Sequence, residues 1–269
     1  MVGPPRSGTT LLAYLLAGGE GVLSLSEPFL AHAVQPDWRL QRFFHVYQRA
    51  AGLRRRRPPR RGNIERFARF LCRMAAENGF RHLVIKETYR RSARNADWHS
   101  EPLLDRLVRG KESVIALIRH PCDVVASSIG LCRWLTRPRG WLVRLRWPNF
   151  PTFRNTTAVV CWAAENWARY VNWVQQRDLC LVRYEDLVRE PGRQLEALCR
   201  HFGMGFQESM LDYARTRVAF GGLGDWGVLK TPRPVDQKSI GHGRRLTAEQ
   251  RRLVRAACQH AARGFDYTF

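Results

Sequence analysis

Lysine is scarce in this chain. Only four of the 45 basic residues are lysine, and the rest are arginine. With 23 acidic residues, the formal net charge at pH 7 is +22. Such a charge attracts anions, which allows a nucleotide, an acidic substrate, a membrane surface or a nucleic acid as partner. A preference for arginine on solvated helix faces accounts for most of the excess, so charge alone does not select among these partners.

Paired cysteines, long apolar runs and repeats are also missing. The seven cysteines are scattered, odd in number and without C-x-x-C spacing, which argues against a disulfide framework and against a zinc site. We expect no signal peptide, and the sequence contains no apolar run long enough to cross a bilayer. We therefore expect a protein of the reducing cytoplasm. Residues 1–269, with 45% hydrophobic side chains, are expected to form a single large α/β domain.

The most informative stretch is Val2–Leu12, which reads VGPPRSGTTLL. It contains the end of an apolar strand, a turn rich in glycine and proline, and the start of an apolar helix. The spacing of Gly3 and Gly8 is that of the P-loop G-x-x-x-x-G-K-[ST], with Thr9 at the lysine position. Loop and helix N–H groups still point at an anion. Because Arg6 supplies the cation instead, the loop predicts a nucleotide other than ATP or GTP.

The run P-R-S-G-T-T-L-L resembles the 5′-phosphosulfate loop of sulfotransferases that use 3′-phosphoadenosine 5′-phosphosulfate (PAPS). The style of the motif is that of the carbohydrate-sulfating, tyrosine-sulfating and bacterial members. Only Met1 and Val2 precede the loop, so we expect either a truncated chain or a start assigned too late. The resemblance implies a donor-binding role for five loop residues, namely Arg6, Ser7, Gly8, Thr9 and Thr10.

A second motif lies in Ser113–Gly130, which reads SVIALIRHPCDVVASSIG. An apolar strand ends at Arg119, Pro121 opens a helix, and Ser127 follows about two turns into it. An arginine at a strand tip and a hydroxyl on the next helix can reach one phosphate. In the sulfotransferase family the pattern R-x-P-x-D-x(3)-S holds the 3′-phosphate of the donor, which implies that role for Arg119 and Ser127.

Two carboxylates follow strands that should end beside the loop, where parallel α/β proteins place catalytic groups. Glu27 follows the strand Val22–Ser26, and Glu87 belongs to the strand His82–Thr88. The alternatives are a surface or helix-capping acid at 27 and a strand-end ion pair of Lys86 with Glu87. The resemblance implies a glutamate base within S-E-P-F and an active-site lysine. We predict Glu27 as general base, Lys86 as stabiliser of the leaving group, and Glu87 weakened by pairing with Lys86.

Two later segments also resemble the family. Leu179–Leu187 is predicted to be a central strand and turn, and its R-Y-E-D-L stretch implies that Tyr184 lies near the adenine. The basic, glycine-rich segment 221–245 corresponds to the family's late gating segment over the donor phosphates. Its candidate residues are Ser239, Gly243 and Arg244.

The remaining features allow a purely structural explanation as well as a functional one. Residues 131–157 mix tryptophan, phenylalanine and arginine, and are predicted to be an insertion over the acceptor site or a hydrophobic lid. The run Arg54–Arg61 taken alone allows a patch that binds nucleic acid or acidic lipid, and we expect a solvated loop at the mouth of that site. Helices are predicted at 101–109, 157–176 and 191–202, and Thr247 with Gln250 forms a capping box for a last helix.

Together these features predict an α/β fold with a central parallel sheet flanked by helices on both faces, the P-loop-like sulfotransferase fold. The resemblance implies transfer of a sulfuryl group from PAPS to a hydroxyl of a carbohydrate, lipid or other small molecule, with adenosine 3′,5′-bisphosphate as product. No metal ion, nucleic-acid partner or membrane span is expected. The alternatives are an ATP-dependent P-loop kinase, which the missing lysine disfavours, and an arginine-rich nucleic-acid-binding protein.

Overall fold

The computed structural model describes residues 1–27, 48–57, 59, 64–89, 105, 113–135, 155–212, 219–222 and 234–269. Several predicted features lie partly outside these ranges. They are the helix at 101–109, apart from position 105, most of the insertion at 131–157, and portions of the Arg54–Arg61 run and of the late segment.

Six strands of the described residues form one sheet in the order β5-β4-β1-β3-β2-β6. Each neighbouring pair is parallel. Parallel neighbours require crossover connections, and within the described residues the long stretches between strands contain helices. The strands are Val2–Gly3 (β1), Val22–Ser26 (β2), His82–Thr88 (β3), Ile115–Ile118 (β4), Cys180–Arg183 (β5) and Phe220–Gly222 (β6).

Seven α-helices lie in the described ranges. The capping box expected before the last helix is present, since Thr247 and Gln250 exchange backbone and side-chain hydrogen bonds. No described helix is long and apolar enough to span a membrane. The helices are Thr9–Ala17 (α1), Ile64–Glu77 (α2), Pro121–Leu135 (α3), Thr156–Gln175 (α4), Tyr184–Arg189 (α5), Pro191–His201 (α6) and Ala248–Ala262 (α7).

Strand β4 shows that helices cover both faces of the sheet. Its alternate residues Ala116 and Ile118 belong to a core cluster with α3, α4 and α7. Ile115 and Leu117 belong to the opposite cluster, with α1, α5 and α6. Successive side chains of a strand point to opposite faces, so a strand buried on both sides needs an unbroken apolar run. The predicted parallel α/β fold is therefore confirmed.

Two details of the prediction around residue 180 were wrong. Strand β5 lies at one edge of the described sheet and not at its centre, and Leu181 on it is 40% exposed. The predicted turn after it is the helix α5. An apolar run indicates that a strand is largely buried, but strand order depends on helix packing that no local pattern encodes.

Candidate active site

The loop between β1 and α1 has the backbone of an anion-binding nest. Arg6 and Gly8 both have left-handed φ angles, 70° and 96°. Ser7 donates to the Pro4 carbonyl oxygen from its backbone N–H, at 3.3 Å, and from its hydroxyl, at 2.7 Å. The N-cap residue of α1 is Gly8, which has no side chain that could cap the helix. A loop of this shape at a helix N-terminus suits a bound anion.

Tyr184, the first residue of α5, packs so closely against Gly8 that only glycine fits there. A Cβ atom at Gly8 would lie only 2.3 Å from Cδ2 of the Tyr184 ring. The Tyr184 ring also contacts Arg119, whose guanidinium carbon is 4.4 Å from the ring centroid. Tyr184 thus packs against both Gly8 of the loop and the Arg119 guanidinium.

The two sequence motifs meet in the tertiary structure. Arg6 Nε donates a hydrogen bond of 2.9 Å to Ser127 Oγ on α3. Arg119 Nη1 donates to the Arg6 carbonyl oxygen at 3.1 Å. This proximity follows from the sheet, because β1 pairs with β4 and both strands end at the same edge. The residues expected at opposite ends of the donor therefore contact one another directly.

Arg119 is the most enclosed cation of this cluster, at 4% exposure. Its Nη2 donates to the Ser239 carbonyl oxygen and lies 3.8 Å from an Asp123 carboxylate oxygen. Burial lowers the pKa of Arg119, and the nearby Tyr184 and Asp123 oppose this. Arginine stays charged in proteins despite such shifts. Within the described part of the chain its Nε is buried and has no hydrogen-bond partner.

Asp123 has a role that the sequence did not reveal. Its two carboxylate oxygens accept the backbone N–H groups of Gly243, at 2.6 Å, and Gly241, at 2.8 Å. Gly243 lies so close to α3 that a Cβ there would be 2.4 Å from Cys122 Cβ. Asp123 therefore fastens the late segment over the start of α3 and brings Ser239 to Arg119. The Asp of R-x-P-x-D was visible in the sequence, but its distant backbone partners were not.

Glu27 and Lys86 form a second cluster at the same sheet edge. Lys86 Nζ is 2.6 Å from Glu27 Oε1, and Thr88 Oγ1 donates to the same oxygen at 2.7 Å. All three side chains are buried. Thr88 is the register partner of Gly3, the first glycine of the loop. Since neighbouring strands lie about 4.8 Å apart, this carboxylate cluster adjoins the phosphate loop.

The ion pair differs from the predicted one. Lys86 pairs with Glu27, whereas the sequence analysis paired it with Glu87. The reason is the pleat of β3, which sends Lys86 and Thr88 to one face and Glu87 to the other. Glu27 itself has a left-handed φ of 51°, an uncommon conformation for a residue other than glycine. Such conformations are found most often at functional sites.

A family model of the sulfotransferase family matches residues 1–208 of the chain. The chain belongs to the sulfotransferase family. The matched range includes every predicted site residue of this sulfotransferase except the late-segment candidates Ser239, Gly243 and Arg244. A search of curated proteins found no match.

Three solved structures share the fold of this sulfotransferase. The sulfotransferase domain of the Synechococcus PCC 7002 olefin synthase is 20% identical, with a TM-score of 0.63, over 95% of this chain and 92% of that one. The sulfotransferase domain of the curacin biosynthetic pathway is 19% identical, with a TM-score of 0.60, over 100% and 96%. Mouse sulfotransferase SULT7A1 complexed with PAP is 15% identical, with a TM-score of 0.55, over 98% and 83%.

The predicted site residues of this sulfotransferase fall into the two clusters just described. One is the loop with Arg119, Ser127, Tyr184 and Ser239, and the other contains Glu27 and Lys86. Thr9 and Thr10, the first residues of α1, are buried at 4% and 7% exposure. Arg244, a candidate of the late segment, is exposed. The clusters adjoin through the pairing of β1 with β3.

Proposed function

We propose that this sulfotransferase moves a sulfuryl group from PAPS to the hydroxyl of a carbohydrate, lipid or other small molecule. The observation that carries the proposal is Arg119, a buried cation with an unpartnered Nε, held between the loop and the late segment. A buried donor without a partner is costly, and a phosphate is a strong acceptor for guanidinium groups. When bound, PAPS supplies the sulfuryl group on its phosphosulfate anhydride.

The residues present fit such a donor. The N-terminus of α1 and the loop before it, with left-handed φ angles at Arg6 and Gly8, would place backbone N–H groups at the 5′ end. Arg119 and Ser127 would hold the 3′-phosphate. Arg6 touches Ser127 and would bridge the two ends of the donor, which is consistent with a cation that has moved away from the P-loop lysine position. Tyr184, which contacts both Gly8 and the Arg119 guanidinium, would lie near the adenine.

Glu27 is the proposed general base. Hydrogen bonds from Thr88 and a charge-assisted one from Lys86 both end on Oε1 and fix its orientation. Because Lys86 pairs with Glu27 itself, the sequence argument that pairing with Lys86 weakens the rival Glu87 no longer applies, and the proposal rests on the position of Glu27 beside the phosphate loop. Glu27 would take the proton of the acceptor hydroxyl as the oxygen attacks sulfur. Lys86, Arg6 and the loop N–H groups would stabilise the charge that develops on the departing 5′-phosphate. Positioning and charge stabilisation then supply most of the catalysis.

Nucleotide binding provides the first test. Calorimetry should show tight binding of adenosine 3′,5′-bisphosphate and much weaker binding of ATP with magnesium. Thr9→Lys, which restores the P-loop lysine, should not produce ATP hydrolysis, because a P-loop NTPase also needs its magnesium-binding residues. Magnesium-dependent ATP hydrolysis by the parent protein would instead support a kinase.

Transfer provides the second test. The purified protein, PAPS carrying labelled sulfate, and an extract of acceptor molecules should yield a labelled product that mass spectrometry identifies. Glu27→Gln is the matched inactive control, since it keeps the size of the side chain. Salt-dependent binding to DNA or RNA without any sulfuryl transfer would favour the nucleic-acid-binding alternative.

A further inference from the structure

The peptide bond between Arg119 and His120 is hydrogen-bonded by side chains on both of its polar groups. The Arg119 carbonyl oxygen accepts a hydrogen bond of 2.8 Å from the indole Nε1 of Trp167 on α4. The backbone N–H of His120 donates to Glu185 Oε1 on α5, also at 2.8 Å. Trp167 is fully buried and Glu185 is 5% exposed. The backbone at the tip of β4 is therefore fixed by two buried side chains from opposite faces of the sheet.

One further side chain, Tyr267, contacts both of these groups. Its hydroxyl donates to Glu185 Oε2 at 2.9 Å, so the two Glu185 oxygens connect Tyr267 to the His120 N–H. Its ring packs edge-on against Trp167, with centroids 6.2 Å apart. The Arg183 guanidinium carbon lies 4.8 Å from the ring centroid. Burial, followed by the adjacent Glu185 charge, raises the pKa of Tyr267, so the phenol remains a donor across the physiological range.

The residues next to Tyr267 also contact the segment Arg119–His120. Asp266 adopts a left-handed φ of 55°, which turns the chain after the 3₁₀ helix Arg263–Phe265. The next residues reach His120, since the Thr268 carbonyl oxygen is 2.8 Å from its Nε2. The Tyr267 ring also packs edge-on against the His120 ring, 5.3 Å between centroids. The segment that contains Asp266, Tyr267 and Thr268 lies beyond residue 208, where the family match ends.

We propose that Tyr267 is a positioning residue of the donor site. Through Glu185 and Trp167 it holds Arg119 in the position that the 3′-phosphate requires. This inference rests on the proposed function. Hydrogen-bond strength falls steeply with misalignment, so a guanidinium whose backbone shifts loses contact with the phosphate. The network ends on the two backbone atoms that flank the Arg119 carbonyl carbon. Its effect should therefore fall on the 3′-phosphate and spare the rest of the nucleotide.

Tyr267→Phe tests this, because it removes the hydroxyl and keeps the ring. The affinities of the variant for adenosine 3′,5′-bisphosphate and for adenosine 5′-phosphate are measured by calorimetry, and PAPS kinetics are recorded. We expect about tenfold weaker binding of the bisphosphate, because Arg119 is no longer held in place through Glu185 and must be ordered on binding. Binding of the monophosphate should change less than about twofold, and KM for PAPS should rise with kcat unchanged at saturating PAPS.

The matched control is Thr247→Ala. It removes the capping box of α7, the helix that leads into the same segment, and touches none of the groups around Arg119. It should lower Tm and leave the ratio of the two nucleotide affinities as in the parent protein. An equal loss of that ratio in Thr247→Ala would overturn the inference, because any loosening of the segment would then suffice. An unchanged ratio in Tyr267→Phe would overturn it as well.

The parent protein offers a test that needs no variant. Coupling between two sites is reciprocal, so the bisphosphate should slow hydrogen exchange of the Tyr267 backbone N–H, which bonds to the Ala262 carbonyl oxygen. The monophosphate should not. Equal protection by both nucleotides would contradict the inference while leaving the proposed function intact. If the parent does not prefer the bisphosphate at all, the proposed function falls and the inference with it.

Discussion

Lys86 and Glu27 form a buried ion pair, with Nζ 2.6 Å from Oε1 and side chains 3% and 12% exposed. The pair joins the end of β2 to the end of β3, beside the phosphate loop. Thr88 adds a second donor to the same carboxylate oxygen. The arrangement holds both charges in one place before any substrate arrives, which is the preorganisation that charge stabilisation in catalysis requires.

Glu27→Gln should abolish the base and preserve the shape of the site. Turnover at saturating PAPS is expected to fall by roughly 10² to 10⁴, while the affinity for adenosine 3′,5′-bisphosphate changes little. Steady-state rates with an identified acceptor and calorimetry provide the two measurements. The control is Glu87→Gln, whose side chain leaves the opposite face of β3. Near-parent turnover in Glu27→Gln with collapse in Glu87→Gln would reverse the assignment of the base.

Lys86→Met should destabilise the fold more than the double variant Lys86→Met/Glu27→Gln. Removing one partner leaves a buried carboxylate without its cation, at a cost of about 3–5 kcal/mol, whereas removing both charges avoids that penalty. Urea unfolding gives the two free energies. The double variant should regain at least half of the lost stability and remain inactive. Equal losses in the single and double variants would mean that the pair is not coupled in the folded protein.

Arg119→Ala should weaken adenosine 3′,5′-bisphosphate binding more than Ser127→Ala. A charge-assisted hydrogen bond is about twice as strong as a neutral one, so a loss of roughly 100-fold is expected for the arginine and less than tenfold for the serine. Arg193→Ala on α6 is the charge-matched control, because its side chain is 80% exposed and bonds only to Glu190 among the contacts described. Parent-like affinity in Arg119→Ala would refute the 3′-phosphate assignment.

Gly8→Ala should destroy the phosphate loop. The left-handed φ of 96° costs a residue with a side chain about 1–2 kcal/mol, and the new Cβ would meet the Tyr184 ring at 2.3 Å. Nucleotide binding should fall at least tenfold by calorimetry. Gly130→Ala on α3 is the opposite case, since no atom of the described residues lies within 4 Å of its added Cβ. It should stabilise the protein by about 0.5–1 kcal/mol. Intact binding in Gly8→Ala would show that the loop does not hold the nucleotide.

The sequence by itself determined most of the elements and the main motifs, although not the helix α5 or the short strand β6. Strand–loop–helix junctions were readable because glycine spacing and apolar runs act locally, and the segments around Gly8 and Arg119 were assigned to the right elements. The parallel α/β class followed from the same alternation. The family resemblance rested on short contiguous runs, and the match over residues 1–208 confirms the family.

The tertiary structure decided what the motifs touch. The partner of Lys86 could not be read from the chain, because its neighbour in sequence leaves the strand on the other face and its partner in space is 59 residues away. Asp123 and Tyr267 were missed for the same reason, since their partners come from distant segments. A local pattern records the conformation of a few residues, whereas strand order and helix packing determine which distant backbone atoms they meet.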